Sequence, residues 1–384
     1  MTIRKAFFWV HLTVGLAAGS VIALMCITGA ALAFEDQIVA WAERDARQIS
    51  PAAPAAKPIS LEDLLAAVAR ARPDAKPGSI TLNRDPNATV VVSIGRGESV
   101  YVSPYDGGIR YPTSHAARDL MRRLRDWHRM LGRTGESLPA GKAITGACNV
   151  AFLFLTLSGA VLWWPRKWRT KGLRRSLWFL RDATGRAREW NWHNVTGFWL
   201  LPVLIVLTAS GAVLSYRGLS DWITHFAGDS PRREPPRIAA PTPDSHPLGP
   251  TSLMAAAQRE FPQAQSFTLY LAEPEAGHGA WPAWVSVKSA GAWPRTATTA
   301  LTLDPFTGRV LNREQFRDLP AGRRIRTWLR FLHTGEALGP VGQFVAGLGC
   351  LGGCLLVYTG FALAWRRFRG EKKSPPTPEP NGVG

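Results

Sequence analysis

Long apolar segments alternate with polar segments along the chain. Four runs contain no Asp, Glu, Lys or Arg, and they cover residues 6–34, 143–164, 194–216 and 337–365. A helix of about 20 apolar residues crosses the hydrocarbon core of a bilayer, and each run reaches that length. The first run is long for the core of a signal peptide, so we expect it to be retained. The pattern predicts a mainly α membrane protein with four transmembrane helices.

The two long polar stretches, 35–142 and 217–336, have a second pattern in common. Each begins with a linker rich in proline and continues with an amphipathic helix, at 60–68 in the first stretch and 252–261 in the second. Apolar alternation with a period of two then predicts short strands. These strands are expected at 79–83, 89–94 and 99–103, and again at 266–271, 283–287 and 298–303. Each stretch should therefore contain a small α+β module.

The sequence also shows signs of internal duplication. The turn at 102–109 aligns with the turn at 303–310, and both follow the last predicted strand of their module. His11 and His193 each precede a Ser/Thr-Gly pair by 17 residues. Such a pair lies near one end of all four apolar runs, where small residues let helices approach closely. These matches predict two repeats of the same orientation.

The prediction divides the chain into four spans, two outer modules and two inner segments. In order they are helix 6–34, module 35–142, helix 143–164, a basic loop 165–193, helix 194–216, module 217–336, helix 337–365 and a tail 366–384. Each module ends in a short segment that carries a histidine, His128 or His333.

The net charge of +18 is concentrated beside the predicted helix ends. The loop 165–190 contains nine Lys and Arg against two acidic residues, and the tail 366–384 contains five against two. Because basic residues stay on the cytoplasmic side, both termini and the basic loop are expected there. The two modules would then lie on the outer side of the membrane. Basic residues that follow helix ends indicate topology and contact with membrane lipid, so no nucleic-acid partner is expected.

Four histidines occupy matching depths in this topology. His11 and His193 lie at the cytoplasmic ends of their helices, and His128 and His333 lie at the outer side. Two histidines at one depth can supply the two axial ligands of a haem iron. The absence of a C-x-x-C-H motif excludes covalent c-type attachment, so two b-type haems are predicted. Glycines one turn away would leave room for the flat macrocycle, and they are Gly15, Gly197 and Gly132.

Other interpretations of the histidines stay open. Duplication of a structural histidine would give the same symmetry without haem. Zinc would lack two of its four ligands, and a proton relay would lack the usual intramembrane carboxylates. His115 and His225 flank membrane segments and are alternative ligands. Arg125 and Arg330 each precede an outer histidine by three residues and could pair with haem propionates.

Several motifs together resemble the PepSY-associated transmembrane family of bacterial inner-membrane proteins. The motifs are Trp9-x-His11, Leu124-Arg-Asp-Trp-His128, the Trp163-Trp164-Pro165-Arg166 string and Leu329-Arg-Phe-Leu-His333-Thr-Gly-Glu336. The resemblance implies PepSY modules at about 60–112 and 252–312. It also implies an oxidoreductase for iron uptake, in which two haems carry electrons to a periplasmic ferric-siderophore or other iron complex.

The electron donor implied by this interpretation is a cytoplasmic reductase or a quinol, since no nucleotide-binding fingerprint is present. The alternative is a protein of another class. A PepSY membrane sensor or inhibitor of envelope proteases would use the same histidines only to hold its helices together.

Overall fold

A computed structural model describes residues 2–49, 57–95, 98–165, 170–229, 238–242, 245–271 and 280–369. Most of the predicted tail, at 370–384, part of the first linker, at 51–56, and part of the basic loop, at 166–169, lie outside the described residues. The helices are α1 Ile3–Leu32, α2 Glu35–Ala42, α3 Arg44–Arg47, α4 Leu61–Ala71, α5 Ala116–Met130, α6 Leu138–Trp163, α7 Thr170–Leu177, α8 Gly185–Ser215, α9 Arg217–Phe226, α10 Pro250–Glu260, α11 Ala321–Thr334 and α12 Pro340–Arg369. The strands are β1 Pro77–Asn83, β2 Val90–Ile94, β3 Glu98–Val102, β4 Ile109–Arg110, β5 Ala264–Tyr270, β6 Ala283–Ser289, β7 Thr299–Leu303 and β8 Val310–Glu314.

The chain divides into two compact units. The first unit comprises 1–30, 126–215 and 345–384, and it contains the four long helices α1, α6, α8 and α12. The second unit comprises 31–125 and 216–344, and it contains the strands. Each unit combines separate parts of the chain, because each long polar stretch lies between two of the long helices in the sequence.

In the part of the chain that the structure describes, four helices are long and apolar enough to cross a membrane, as the charge-free runs predicted. They extend beyond those runs, since α8 begins at Gly185 and not near 194, and α12 ends at Arg369. Charged residues are compatible with a helix that continues past the hydrocarbon core. The largest inward shift is at the start of α12, which begins at Pro340 and not at 337. Gly339 has a φ of 66°, and the proline that follows suits the first turn of a helix.

Close helix packing forms the centre of the first unit. Ile22 and Cys26 of α1 are buried against side chains of α6 and α12. A Cβ atom placed on Gly353 would lie 2.6 Å from the sulfur of Cys26, so only glycine fits at that crossing. Asn149 is buried and its side chain donates to the carbonyl of Thr208 at 2.8 Å. Small residues and a satisfied polar group therefore hold the bundle together, as expected inside a membrane.

The second unit is built on one antiparallel sheet in the order β4-β3-β2-β1-β5-β6-β7-β8. Its apolar face packs against α4 and α10 in a single core. The two predicted modules thus share a sheet, because β1 pairs with β5 over Ser79–Asn83, with Ile80 opposite Leu269. Each half has the same element order, one helix followed by four strands. The sequence predicted three of the four strands in each half.

A buried ion pair anchors α5 in the second unit. Glu43 and Tyr101 are almost completely buried, and Arg118 donates to both Glu43 carboxylate oxygens, at 2.7 Å and 2.5 Å. Burial alone would raise the pKa of Glu43, but the hydrogen bonds from Arg118 and Tyr101 outweigh this effect and lower it. Burial and the Glu43 carboxylate raise the pKa of Tyr101 to about 12. Arg118 therefore holds α5 through a buried partner within the protein.

Replacing Arg118 with leucine should destabilise the protein, because the Glu43 carboxylate would stay buried without its strongest partner. A loss of roughly 3 kcal/mol is expected at neutral pH. The folded-state pKa of Glu43 is depressed, so the pair stabilises the fold above the unfolded pKa and its contribution is lost as the pH falls. Thermal unfolding in detergent at neutral and acidic pH measures both effects.

The matched control is Arg122→Leu, which removes an exposed pair with Asp119. Such pairs contribute well under about 1 kcal/mol, so this variant should unfold close to the wild-type temperature. Equal unfolding temperatures for the two variants would contradict a structural role for Arg118.

Candidate cofactor-binding site

Two histidines face each other at one end of the helix bundle. His11 lies near the start of α1 and His193 lies two turns into α8. Their ring centroids are 6.5 Å apart, and the ring planes are nearly perpendicular, at 82°. The sequence paired these residues from their equal spacing alone, and the structure brings them together.

Both histidines are oriented by a hydroxyl group on a neighbouring helix. Nδ1 of His11 lies 2.8 Å from Oγ of Ser158 on α6, and Nδ1 of His193 lies 2.9 Å from Oγ1 of Thr359 on α12. Each hydroxyl also donates to a backbone carbonyl of its own helix, at 3.3 Å for Ser158 and 2.7 Å for Thr359. Because the hydroxyl proton is used there, the hydroxyl accepts from the imidazole N–H. This network assigns the proton to Nδ1 and the lone pair to Nε2.

His128 has the same arrangement at the opposite end of the bundle. Its Nδ1 lies 3.0 Å from Oγ1 of Thr28 on α1 and 3.0 Å from the carbonyl oxygen of Met25. A carbonyl can only accept, so Nδ1 again carries the proton. The imidazole also lies against the backbone at Gly29, where an added Cβ atom would be 3.2 Å from Cε1.

The Ser/Thr-Gly pairs are the functional feature that the sequence analysis missed. It assigned them to helix approach, but Thr28-Gly29, Ser158-Gly159 and Thr359-Gly360 each contact a histidine. In the other two pairs, a Cβ atom added to Gly159 would lie 3.6 Å from Cε1 of His11, and one added to Gly360 would lie 3.7 Å from Cε1 of His193. The position of each pair along its helix could have revealed this contact, since each pair lies at the same end of a span as the histidine that it contacts. In each pair the hydroxyl lies within hydrogen-bond distance of Nδ1, and only at Gly29 is the ring close enough that an added Cβ atom would crowd it.

Gly15, Gly197 and Gly132, which were predicted to leave room for haem, lie in different surroundings. Added Cβ atoms on Gly15 and Gly197 would meet only leucine methyl groups, at 3.8 Å and 3.7 Å. These are ordinary contact distances, so neither position needs glycine for helix packing. Gly132 lies beyond the end of α5 and has a φ of 67°, and its Cβ atom would contact the Trp127 ring. The end of the helix explains Gly132 without a cofactor.

The remaining predicted residues belong to the second unit. His333 is half-buried in the last turn of α11. The guanidinium of Arg330 lies over the Phe331 ring, 6.0 Å from its centroid, whereas Arg125 forms an ion pair with Glu35. His115 and His225 are exposed.

An ion pair lies next to His193. Glu189 is one turn before His193 on α8 and is buried, and its carboxylate oxygens accept from Arg366 of α12 at 2.7 Å and 3.0 Å. Because Thr359 is on the same helix as Arg366, this pair fixes α8 against α12 where the His193–Thr359 hydrogen bond forms. A bidentate carboxylate–guanidinium contact gives that position a defined geometry.

The His11–His193 pair fits a metal held between two imidazoles. A histidine nitrogen lies about 2 Å from a bound metal, so two rings on opposite sides of one ion have centroids about 6 Å apart. The observed 6.5 Å matches this separation. Among the described residues, no group of three or more His, Cys, Asp or Glu side chains is placed to hold a metal ion. A two-histidine donor set suits haem, in which the porphyrin fills the other four positions.

The fold and this site define a class of protein, a multi-pass membrane protein with paired intramembrane histidines and a unit built on an antiparallel sheet. The family described as PepSY-associated TM region matches residues 8–367, and the chain belongs to this family. A comparison with curated proteins gives no match.

Replacing Thr359 with valine should weaken haem binding at the His11–His193 site. The variant keeps the shape of the side chain but removes the acceptor for Nδ1 of His193. Loss of such a partner typically weakens metal binding by about tenfold or more. The rate of haem transfer to excess apomyoglobin measures the loss.

Thr359→Ser keeps a hydroxyl and should retain wild-type haem binding. Thr156→Val removes a hydroxyl on α6 that donates to the carbonyl of Phe152, and it should also have little effect. Haem transfer from Thr359→Val at the rate of Thr359→Ser would show that the hydroxyl does not support the ligand.

Proposed function

We propose that this chain is a di-haem b oxidoreductase of the bacterial inner membrane that reduces a periplasmic ferric-siderophore or other iron complex and releases its iron. The observation that supports this most strongly is the His11–His193 pair, with 6.5 Å between ring centroids and each Nδ1 tied to a hydroxyl. In both rings Nδ1 is held by a hydroxyl group, so Nε2 is the nitrogen that would bind the haem iron. Membership of the PepSY-associated family agrees with the proposal.

The ligand sets follow the two predicted layers. His11 and His193 are the proposed ligands of the haem at the cytoplasmic side, and His128 and His333 those of the haem at the outer side. His128 is supported by its Nδ1 contacts with Thr28 and Met25. His333 is assigned from its position in the proposed repeat, as the counterpart of His128.

The haems, when bound, supply one-electron transfer across the bilayer, and the protein supplies ligation and orientation. Ser158 and Thr359 hold the imidazoles in the ligating tautomer. Of the two arginines predicted to meet propionates, Arg330 keeps that proposed role. Arg125 pairs with Glu35, so a propionate would compete with that carboxylate.

The proposed topology places both termini in the cytoplasm and both halves of the sheet in the periplasm. The basic residues at 4–5, 165–190 and 366–384 support it. The matching element order in the two halves supports duplication of a PepSY module. Electrons would enter from a cytoplasmic reductase or a quinol.

The test is the visible spectrum and the haem content of the purified protein. Two haems per chain and sharp b-type bands on reduction with dithionite are expected. His193→Ala should retain about one of the two haems, because it removes a ligand from one layer only. His225→Ala changes an exposed histidine and should retain both.

A folded, colourless wild-type protein would rule out the proposal and favour the sensor or inhibitor. Two haems in His193→Ala would refute the ligand pairing but leave haem binding intact. The two failures are therefore distinguishable.

A further inference from the structure

An exposed aromatic cluster lies in the second unit near the end of α11. The rings of Trp293 and Trp328 are 5.5 Å apart at an angle of 66°, and Phe316 lies 6.2 Å from Trp328 at 75°. Trp293 lies in the connection between β6 and β7 and is 59% exposed. Edge-to-face contacts between the rings hold the cluster in place, and they leave the Trp293 ring open to solvent.

Two arginines flank these rings. Arg324 is exposed on α11 four residues before Trp328, so it lies on the same face of the helix. Arg295 is exposed two residues after Trp293 and packs against Gly339, where an added Cβ atom would lie 2.9 Å from its Cδ. We call Trp293, Phe316, Trp328, Arg295 and Arg324 the aromatic–arginine patch. Its two guanidinium groups give it a positive charge.

The first half of the sheet lacks this patch. When His128 is aligned with His333, Arg123 corresponds to Trp328 and Asp119 to Arg324. Only three residues connect β2 to β3, whereas nine connect β6 to β7 and include Trp293. The same element order therefore forms without the patch, so the patch is not a requirement of the fold. An exposed tryptophan beside arginines is typical of a binding site.

We propose that the aromatic–arginine patch binds the electron acceptor, and that this acceptor is an anionic ferric chelate whose iron-binding groups are aromatic. The inference rests on the proposed function. Aromatic rings of the chelate stack on Trp293, and its negatively charged oxygens pair with Arg295 and Arg324. Trp328 precedes His333 by five residues, about 7.5 Å along α11. One electron passes from the reduced protein to Fe(III), giving Fe(II), and no covalent bond forms.

Binding can be measured without electron transfer by using gallium(III), which is redox-inert and has nearly the size of ferric iron. The probe is the gallium complex of 8-hydroxyquinoline-5-sulfonate, an anionic chelate with aromatic ligands. Isothermal titration with the purified full-length protein should show saturable binding. Trp293→Ala and Arg324→Gln should each weaken binding by about tenfold or more. Gallium citrate, which is anionic without rings, should bind more weakly than the aromatic chelate.

The matched control is Trp41→Ala. Trp41 is 70% exposed in α2 of the same unit and also has an arginine over its ring, with Arg44 at 4.9 Å. This variant should bind the gallium chelate within twofold of wild type. Unfolding temperatures within error of wild type would show that the variants are folded, and Trp293→Gln replaces Trp293→Ala if that variant is unstable.

Reduction is then tested by mixing the dithionite-reduced protein with the ferric complex and following the haem bands. Trp293→Ala should slow reoxidation at low chelate concentration and leave the haem content unchanged. Unchanged chelate binding in Trp293→Ala, an equal loss in Trp41→Ala, or no binding by wild type would overturn the proposal. A protein that binds the gallium chelate through the patch but contains no haem would refute the proposed function and leave the docking site intact.

Discussion

A histidine inside a membrane needs a partner for its N–H, because an unpaired donor in a low-dielectric interior is costly. The first unit meets this requirement with a hydroxyl whose own proton is already used in its helix. Ser158 and Thr359 accept from His11 and His193 in this way. Each contact joins two helices, so the requirement of one imidazole also fixes which helices are neighbours. The orientation of the rings and the packing of the bundle are therefore set by the same hydrogen bonds.

The glycine beside each hydroxyl completes the arrangement. An imidazole that is hydrogen-bonded to a neighbouring helix lies close to that helix, and a Cβ atom at Gly29 would be only 3.2 Å from Cε1 of His128, whereas at Gly159 and Gly360 it would be at ordinary contact distance from the ring. The Glu189–Arg366 pair adds a charged contact at the same crossing as His193 and Thr359. A rigid setting of this kind is what a ligand requires, because a ring that is free to rotate would lose entropy on binding.

Much of the architecture could be predicted from local patterns. Charge-free runs predicted the four spans, and the equal spacing of His11 and His193 predicted that they would meet. The hydroxyl partners could not be found in this way, because each hydrogen bond joins residues at least 100 positions apart. The same limit applies to the sheet, since alternation predicted strands in each half but not the pairing of Ile80 with Leu269. The Arg118–Glu43 pair is beyond local patterns for the same reason, because its two residues are 75 positions apart.

The two halves of the second unit have the same element order but different exposed residues. A common order of one helix and four strands forms in both halves, and the apolar face of the sheet has one core under α4 and α10. The outward-facing residues are free to differ, because they contribute little to that core. Trp328 and Arg324 occupy positions that carry Arg123 and Asp119 in the first half, and only the second half has a long connection that contains Trp293. The packing of the sheet against its helices therefore does not determine which residues its surface presents.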